Sequence, residues 1–307
     1  MWLILASFTA FFEACKDATG KQSLKTLDEY SVLFSLMTIG AMLMLPVLFL
    51  TGGIPPIQPN FGWALLIGGS LNILAFTFYV RALKIADLSL TVPLVTLTPL
   101  FLLITAPLIL QEWPTWADGT GVVLLVIGSY VLNLETAADG KLLNAKALDA
   151  RALDGKPLAS NFLAPLLAMA RSPGSRLMLC VAFLWSITAN FDKIGVMNSS
   201  SLFWVISLFS TIAAGMVPFV FLRGRNFKGI LLQWKWLGIA GAFGAIAITC
   251  QMFALPLAPV SQVVAVKRMS TLISVFFGHF FFAEQGLRSR LLGAAIMVSG
   301  VAVMSLK

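Results

Sequence analysis

Charged residues are scarce in this sequence. Lys, Arg, Asp and Glu together make up 11% of its 307 residues, whereas they make up about 25% of an ordinary soluble domain. Hydrophobic residues account for 59% of the chain, and a single soluble core of this size could not bury that much apolar surface. This balance excludes a soluble enzyme, a secreted disulfide scaffold and a disordered chain, and it indicates a polytopic membrane protein.

Cysteine and histidine are also rare. The chain has three cysteines, Cys15, Cys180 and Cys250, and one histidine, His279. The cysteines lie far apart in apolar stretches, with neither a metal-binding spacing nor a disulfide pattern, which favours packed thiols. The sequence also contains no Walker loop, nucleophile elbow or glycine-rich phosphate cradle. We therefore expect no enzyme activity, no ATP-driven transport, no metal site and no cofactor.

Ten apolar runs are candidates to cross a membrane, for which a helix needs about 20 residues. The first run has no Lys or Arg before Lys16, so it lacks the basic start of a signal peptide and is predicted to be retained. The predicted spans are residues 2–19, 30–50, 62–82, 89–110, 117–134, 176–195, 202–222, 235–254, 260–282 and 290–306. The sequence thus predicts an all-α membrane protein with ten transmembrane helices.

An internal repeat relates the two ends of the chain. When the sequence is shifted by 172 residues, polar and small residues coincide without a gap. The matching pairs include Lys21 with Lys193, Pro46 with Pro218, Gly69 with Gly241, Glu112 with Glu284, Gly121 with Gly293 and Gly128 with Gly300. Each copy holds five spans, an odd number, so the second copy must enter the membrane in the opposite sense. We predict two inverted five-helix repeats, residues 1–135 and 173–307.

The linker between the repeats, residues 136–172, is more polar than the spans. Its segment Asn161–Arg171 is either a short amphipathic helix on the membrane surface or part of a simple tether. The linker is predicted to lie in the cytoplasm, because of the charge distribution described next.

Basic residues are concentrated on one side of this arrangement. Of the 21 Lys and Arg residues, all but Lys193, Lys267, Arg268 and Lys307 follow spans 1, 3, 7 and 9 or surround the linker. We call this side the basic face and the opposite side, which includes loops 51–61 and 111–114, the neutral face. The positive-inside rule makes the basic face cytoplasmic and puts both termini outside. We expect a multi-pass protein of the plasma (inner) membrane, and no nucleic-acid partner despite the net charge of +8.

The recurring residues resemble a known family. An Ala-Leu pair, a later Ser, a Glu after a long apolar span and two following Gly residues look like the repeat of the EamA-type drug/metabolite transporter superfamily. In the first copy these are Ala82, Leu83, Ser89, Glu112, Gly121 and Gly128, and in the second Ala254, Leu255, Ser261, Glu284, Gly293 and Gly300. The resemblance implies a ten-helix carrier that works by alternating access, with a central cavity lined by spans 1, 3, 4, 6, 8 and 9. Many members have a basic loop after span 2 and both termini inside; here that loop is neutral, and the charges favour the opposite orientation.

Lys267 and Arg268 lie seven to eight residues into the ninth predicted span, about 10–12 Å from its start. Charges at such a depth are costly and are functional candidates by default. The pair either contacts an anionic substrate or binds an internal carboxylate such as Glu13. A similar Lys-Arg pair in plant-type sugar-phosphate translocators, distant members of the superfamily, holds the substrate phosphate. Span 4 of this chain contains no basic residue, which argues against phosphate specifically.

Further polar residues complete the predicted site. Glu13 in span 1 is either a proton carrier for coupling or one member of an internal ion pair with Lys16, Lys267 or Arg268. His279 is either a packing residue or a second coupling candidate. The predicted polar neighbours of the substrate are Asn190, Tyr79, Gln251, Ser261, Gln262 and Thr271.

Other recurring or paired residues are predicted to be structural. Glu112 and Glu284 each end a span and are expected to cap the following helix or to tie a loop. Gly121 and Gly293 belong to the same repeated motif. Adjacent Asp192 and Lys193 at the end of span 6 are expected to form an interfacial ion pair.

Together these features predict a secondary-active transporter that moves a small anionic or zwitterionic metabolite across the lipid bilayer by alternating access. Two alternatives stay open: a flippase of a lipid or lipid-linked sugar, and an exporter of neutral or cationic compounds. Monomer and homodimer are both compatible with the sequence.

Overall fold

The computed structural model describes residues 1–24, 26–85, 94–141, 173–222, 227–274, 277 and 287–305. These residues form helices and turns, and no strand occurs among them. The helices are α1 (Trp2–Ser23), α2 (Glu29–Leu50), α3 (Asn60–Ile85), α4 (Thr98–Leu110), α5 (Trp116–Lys141), α6 (Pro173–Met197), α7 (Ser201–Leu222), α8 (Phe227–Leu232), α9 (Trp234–Ala254), α10 (Val260–Lys267) and α11 (Leu287–Ser305), and a 3₁₀ turn, Leu255–Leu257, follows α9.

In the described part of the chain, five helices have both the length and the apolar composition needed to cross a membrane: α2, most of α3, α6, α7 and α9 with its 3₁₀ turn. Shorter apolar helices cover Thr98–Leu110, Trp116–Ser129 and Leu292–Met304. Helix α1 has 22 residues, but it carries Glu13, Lys16 and Asp17 in its second half. The prediction of an integral, multi-pass, all-helical protein is therefore confirmed, while the count of ten spans stays a prediction.

Helix pairing respects the 172-residue repeat. Extensive contacts join α1 with α9, α3 with α6, α2 with α7 and α5 with α11, and α4 also contacts α10. A shift of 172 residues converts α1 into α6 and α3 into α9, so the α1–α9 and α3–α6 contacts are the same contact seen twice. The α2–α7 and α5–α11 pairs join equivalent helices of the two copies, whereas α10 is equivalent to residues 88–95 and α4 to residues 270–282. Exchanging the two copies thus preserves the α1–α9, α3–α6, α2–α7 and α5–α11 contacts.

Glycine allows the closest of these contacts. A Cβ atom added to Gly121 of α5 would lie 2.7 Å from the carbonyl oxygen of Gly300 in α11, and one added to Gly128 would lie 2.7 Å from that of Gly293. These are two views of one contact, because the repeat converts Gly121 into Gly293 and Gly128 into Gly300. Gly121, Gly128 and Gly300 therefore let α5 and α11 approach backbone to backbone, as small residues do between membrane helices.

The fourth and ninth predicted spans are interrupted at equivalent positions. Turns at residues 96–97 and 268–269 separate helical segments, and these positions differ by the same 172 residues. At each turn a backbone N–H bonds three residues back: that of Leu97 to Leu94 O at 3.1 Å and that of Met269 to Val266 O at 2.9 Å. Such 3₁₀ tightening inside a helix often marks a functional hinge. The continuous span predicted over 260–282 is thus tightened at its Lys-Arg pair, which an apolar pattern cannot reveal.

Proline explains the turn in span 4. Pro99 has no N–H to donate to the carbonyl of Val95. The hydroxyl of Thr98 takes over this role and donates to Val95 O at 2.6 Å. In the second copy Thr271 stands where Pro99 does, and its N–H bonds to Arg268 O at 3.1 Å.

Candidate functional site

Four charged residues of α1 and of the predicted ninth span lie where α1, α9 and α10 meet α4. We call Glu13, Lys16, Lys267 and Arg268 the central polar cluster. Glu13 is attracted electrostatically by all three cations of the cluster. The α1–α9 contact has room for Lys16 because Gly244 faces it: a Cβ there would lie 3.2 Å from Lys16 Cδ.

Glu13 forms an ion pair within its own helix. Lys16 Nζ donates to Glu13 Oε1 at 2.6 Å, and it lies 3.3 Å from Asp17 Oδ1. The side chains of Lys16 and Glu13 are only 25% and 16% exposed. Of the two alternatives that the sequence leaves for Glu13, the structure contains the internal ion pair with Lys16. The second oxygen of Glu13, Oε2, is buried and has no hydrogen-bond partner among the described residues.

Lys267 and Arg268 have neutral partners instead of a carboxylate. Lys267 Nζ donates to Gln251 Oε1 at 2.9 Å, and Arg268 Nη2 donates to Thr98 Oγ1 at 2.9 Å. Among the described side chains, neither cation has a carboxylate oxygen within 4.0 Å. Arg268 Nε is buried with no hydrogen-bond partner in the described part of the chain. The turn at 268–269 therefore presents a guanidinium that is anchored at one nitrogen and free at another.

An aromatic cluster adjoins these charges. Tyr79 of α3 interacts electrostatically with Arg268 and Glu13, and its ring lies 5.5 Å from that of Trp185 in α6. Trp185 also meets Phe76 edge to face, with ring centroids 5.6 Å apart. By the repeat, Tyr79 is the counterpart of Gln251 and Trp185 is the counterpart of Glu13. The predicted residues Tyr79 and Gln251 thus occupy the same place in the two copies.

The remaining predicted neighbours are more dispersed. Asn190 donates to Ser186 O at 2.7 Å and to Thr105 Oγ1 at 3.1 Å, and its Oδ1 is buried without a partner among the described residues. Ser261 is buried in the first turn of α10. Thr271 follows the turn at Arg268 and bonds to it through the backbone.

Gln262 forms a hydrogen bond outside the central polar cluster. Its amide donates to Asp118 Oδ1 in a short hydrogen bond. Asp118 also accepts from the N–H of Thr115 at 2.9 Å, while Thr115 Oγ1 accepts from the N–H of Asp118 at 3.3 Å. This reciprocal pair is a capping box at the start of α5. Gln262 therefore joins α10 to the cap of α5. In the sequence, the spacing of Thr115 and Asp118, three positions apart, is the pattern that indicates this cap.

Asp192 and Lys193 do not form the ion pair that we expected between them. Lys193 Nζ binds Glu112 Oε1 and donates to Ala258 O at 2.8 Å. Asp192 Oδ1 accepts from the indole N–H of Trp204 at 3.0 Å. Adjacent residues on a helix point about 100° apart, so Lys193 faces α4 and α10 while Asp192 faces α7.

Glu112 stabilises a helix of the other repeat instead of the helix that follows it. Its Oε2 accepts from the N–H of Val260 at 3.0 Å, at the first residue of α10. A carboxylate is favourable at a helix N-terminus. We call the Glu112–Lys193 contact the neutral-face ion pair. A cavity of about 440 Å³ lies beside it, between α3, α4 and α6. His279 and Glu284 lie outside the described residues.

Known proteins resemble this chain in sequence and in structure. The sequence model of the EamA-like transporter family matches residues 1–134 and 172–306. A crystal structure of a protein shares 18% sequence identity with the chain and superposes with a TM-score of 0.74, covering 99% of this chain and 96% of that one. At this identity the likeness shows the fold alone. A comparison with curated proteins gives no match. Because the family model covers both repeats, the chain belongs to the EamA-like transporter family, whose members are membrane transporters.

Proposed function

We propose that the protein is a secondary-active transporter of a small anionic or zwitterionic metabolite, and that the central polar cluster binds this substrate. One observation carries the proposal: Arg268 Nε and Glu13 Oε2 are both buried in one cluster without a hydrogen-bond partner among the described residues. Buried polar groups are normally hydrogen-bonded. A buried donor with a positive charge and a buried acceptor with a negative charge are the two contacts that a zwitterion would make.

The charge distribution favours an anionic group on the substrate. Lys16 is paired with Glu13, but Lys267 and Arg268 donate to the neutral oxygens of Gln251 and Thr98. Two cations without an anion in direct contact are costly inside a membrane. A carboxylate could accept from Arg268 in the planar geometry that guanidinium favours and from the ammonium of Lys267.

We propose that ten spans in two inverted repeats carry out the movement by alternating access. Two features support this: the α1–α9, α3–α6, α2–α7 and α5–α11 contacts are preserved when the copies are exchanged, and both turns in spans 4 and 9 lie beside the cluster. Arg268 Nη2 and Thr98 Oγ1 join the two turns directly at 2.9 Å. A relative movement of the copies at these turns would therefore change the position of the substrate-binding guanidinium.

The test starts with a thermal-shift screen of the purified protein against metabolite classes, followed by uptake of each hit into proteoliposomes. Arg268→Ala is expected to abolish uptake, because removal of one charged partner from a buried site costs on the order of 2–5 kcal/mol. Arg81→Ala removes an exposed guanidinium from α3 and serves as the matched control. Unchanged transport in both Arg268→Ala and Lys267→Ala would show that the pair is structural and that the substrate is neutral or cationic.

A lipid or lipid-linked substrate is the second candidate. An apolar groove of about 290 Å³ between α2, α7 and α9 is lined by Met44, Val47, Leu202 and Phe253 among others. Such a groove suits an acyl chain. Reconstitution with fluorescently labelled phospholipids distinguishes the candidates: protein-dependent lipid movement without metabolite uptake would favour the flippase.

We further propose insertion in the plasma (inner) membrane with both termini outside, as a monomer or homodimer. The basic face is the support for this orientation, since it contains the linker and the loops after spans 1, 3, 7 and 9. An impermeant thiol reagent added outside should label Gly53→Cys and should not reach Arg225→Cys. The reverse pattern would establish the opposite orientation.

A further inference from the structure

Asp192 is a buried carboxyl group that the substrate site does not use. It lies five residues before the end of α6, and only 7% of its surface is exposed. Its Oδ1 accepts from Trp204 Nε1 at 3.0 Å. Lys193, the nearest cation along the chain, is turned away and holds Glu112. Asp192 therefore has a neutral hydrogen-bond donor where Glu13 has an ammonium group.

Trp204 is held in place for this contact. The indole is fully buried in α7, and Gly195 of α6 faces it so closely that a Cβ would lie 2.1 Å from a ring carbon. Without a side chain at Gly195, the ring lies flat against α6 with its N–H directed at Asp192. The donor suits both forms of the carboxyl group, because the carbonyl oxygen of a protonated acid also accepts a hydrogen bond.

Within the described ranges, the electrostatic surroundings of Asp192 contain one distant cation. The helices packed against α6 include α3, α4, α7, α9 and α10. Among their described side chains, Lys267 of α10 is the charged group that attracts Asp192, and it does so without direct contact. No described Lys or Arg nitrogen lies within 4.0 Å of Asp192. Burial without a paired cation disfavours the charged form of a carboxyl group, and a proton removes that cost.

We propose that Asp192 is the proton-coupling residue of the transporter and that proton and anionic substrate move in the same direction. This rests on the proposed function. The proton comes from water on one side, forms an O–H bond at Oδ2 while Oδ1 keeps its bond to Trp204, and leaves to water on the other side. Lys267 belongs to the substrate site and is attracted by Asp192. Neutralising Asp192 therefore leaves Lys267 freer to attract a substrate anion, and by reciprocity a bound anion favours the protonated form.

Transport by the full-length protein in proteoliposomes tests the coupling. The probe is a radiolabelled mixture of amino acids and small carboxylic acids. Wild type should exchange a component in counterflow and should concentrate it when the outside is made acidic. Asp192→Asn keeps an oxygen that accepts from Trp204 but binds no proton. It should retain counterflow while losing the response to the pH gradient by at least tenfold.

Asp28→Asn is the matched control. Asp28 caps α2 by accepting from the N–H groups of Tyr30 and Ser31, and Asn caps as well as Asp. It should behave as wild type in both assays. Counterflow in wild type without any response to the pH gradient would overturn the inference, as would an undiminished response in Asp192→Asn or a response lost only in Glu13→Gln. Absence of counterflow in wild type would contradict the proposed function itself.

Infrared spectroscopy tests the protonation of Asp192 without any substrate. Infrared difference spectra of the reconstituted protein across a pH titration should contain the C=O stretching band of a buried protonated carboxyl group. This band should be absent in Asp192→Asn and present in Asp28→Asn. A band that persists unchanged in Asp192→Asn would assign the proton to another residue.

Discussion

Two regions of the molecule have the same backbone and opposite chemistry. In α1, α9 and α10 the equivalent positions hold Glu13, Gln251 and Lys267, whereas α6, α3 and the segment just before α4 hold Trp185, Tyr79 and Val95. The α1–α9 contact of one region is equivalent to the α3–α6 contact of the other. Each region also has a turn at the equivalent position inside the fourth span of its copy. One region is charged and the other is aromatic and apolar.

This difference separates the residues that build the fold from those that select a substrate. The recurring pair Gly128 and Gly300 belongs to the contact between α5 and α11, and Glu112 belongs to the junction between the copies. What differs lies at the central polar cluster and the aromatic cluster beside it. A repeated backbone with unequal side chains therefore makes an asymmetric cavity from a symmetric fold.

Transferring a charge into the apolar region should have the largest effect. Val95 is buried among Ala82, Leu94, Met178 and Val181. Val95→Lys gives the segment just before α4 the residue that α10 carries at the equivalent position, but without a Gln251 to accept from it. We expect a loss of about 3 kcal/mol or more in folding stability, measured by thermal unfolding in detergent. Val95→Ile is the apolar control, and a fully stable Val95→Lys protein would contradict the assigned surroundings.

The reciprocal change removes the charge from the polar region. Lys267→Val gives α10 the valine found at the equivalent position 95 and leaves Gln251 Oε1 without its donor. Transport should fall by more than tenfold, since loss of a buried charged partner costs about 2–5 kcal/mol, while the protein still folds. The readout is the initial rate of uptake. A charge that transport requires is thereby distinguished from a charge whose removal leaves transport unchanged.

Helix contact at the repeated glycines should be sensitive in both copies. Gly121→Ala places a methyl group 2.3 Å from Met304 Cγ and 2.7 Å from the backbone of Gly300. Overpacking of this kind costs about 1–3 kcal/mol, visible as a lower unfolding temperature. Gly119→Ala, two residues earlier in α5, meets no atom within 4 Å and should be neutral or slightly stabilising. Equal stability of the two variants would exclude the close α5–α11 contact.

The neutral-face ion pair should have the smallest effect. The side chains of Lys193 and Glu112 are 14% and 23% exposed, so solvent screens part of their attraction. A double-mutant cycle with Glu112→Gln and Lys193→Met should give a coupling energy of about 1 kcal/mol. Additive losses in the cycle would mean that Glu112 acts only on the N–H of Val260.

Much of the architecture follows from the sequence because it depends on local periodicity and composition. Runs of high hydropathy indicate membrane helices, because a segment that crosses lipid must form all its backbone hydrogen bonds internally. The 172-residue repeat indicates two equivalent five-helix units, because Lys, Glu and Gly rarely coincide by chance at one offset. The depth of Lys267 and Arg268 in an apolar run was enough to identify them as site candidates, and the charge bias was enough to predict an orientation.

Tertiary structure alone decided which side chains meet. Lys193 binds Glu112, 81 positions away in the chain, and Asp192 turns to Trp204, although the sequence places Asp192 and Lys193 side by side. Gln262 is held by Asp118, and Thr98 by Arg268, through contacts between the two copies. Sequence periodicity specifies which face of a helix is apolar, but the partner of a polar atom depends on how the helices pack around it. The choice between an ion pair and a neutral hydrogen bond, on which the function of each buried charge rests, is therefore made only when the ten predicted spans come together.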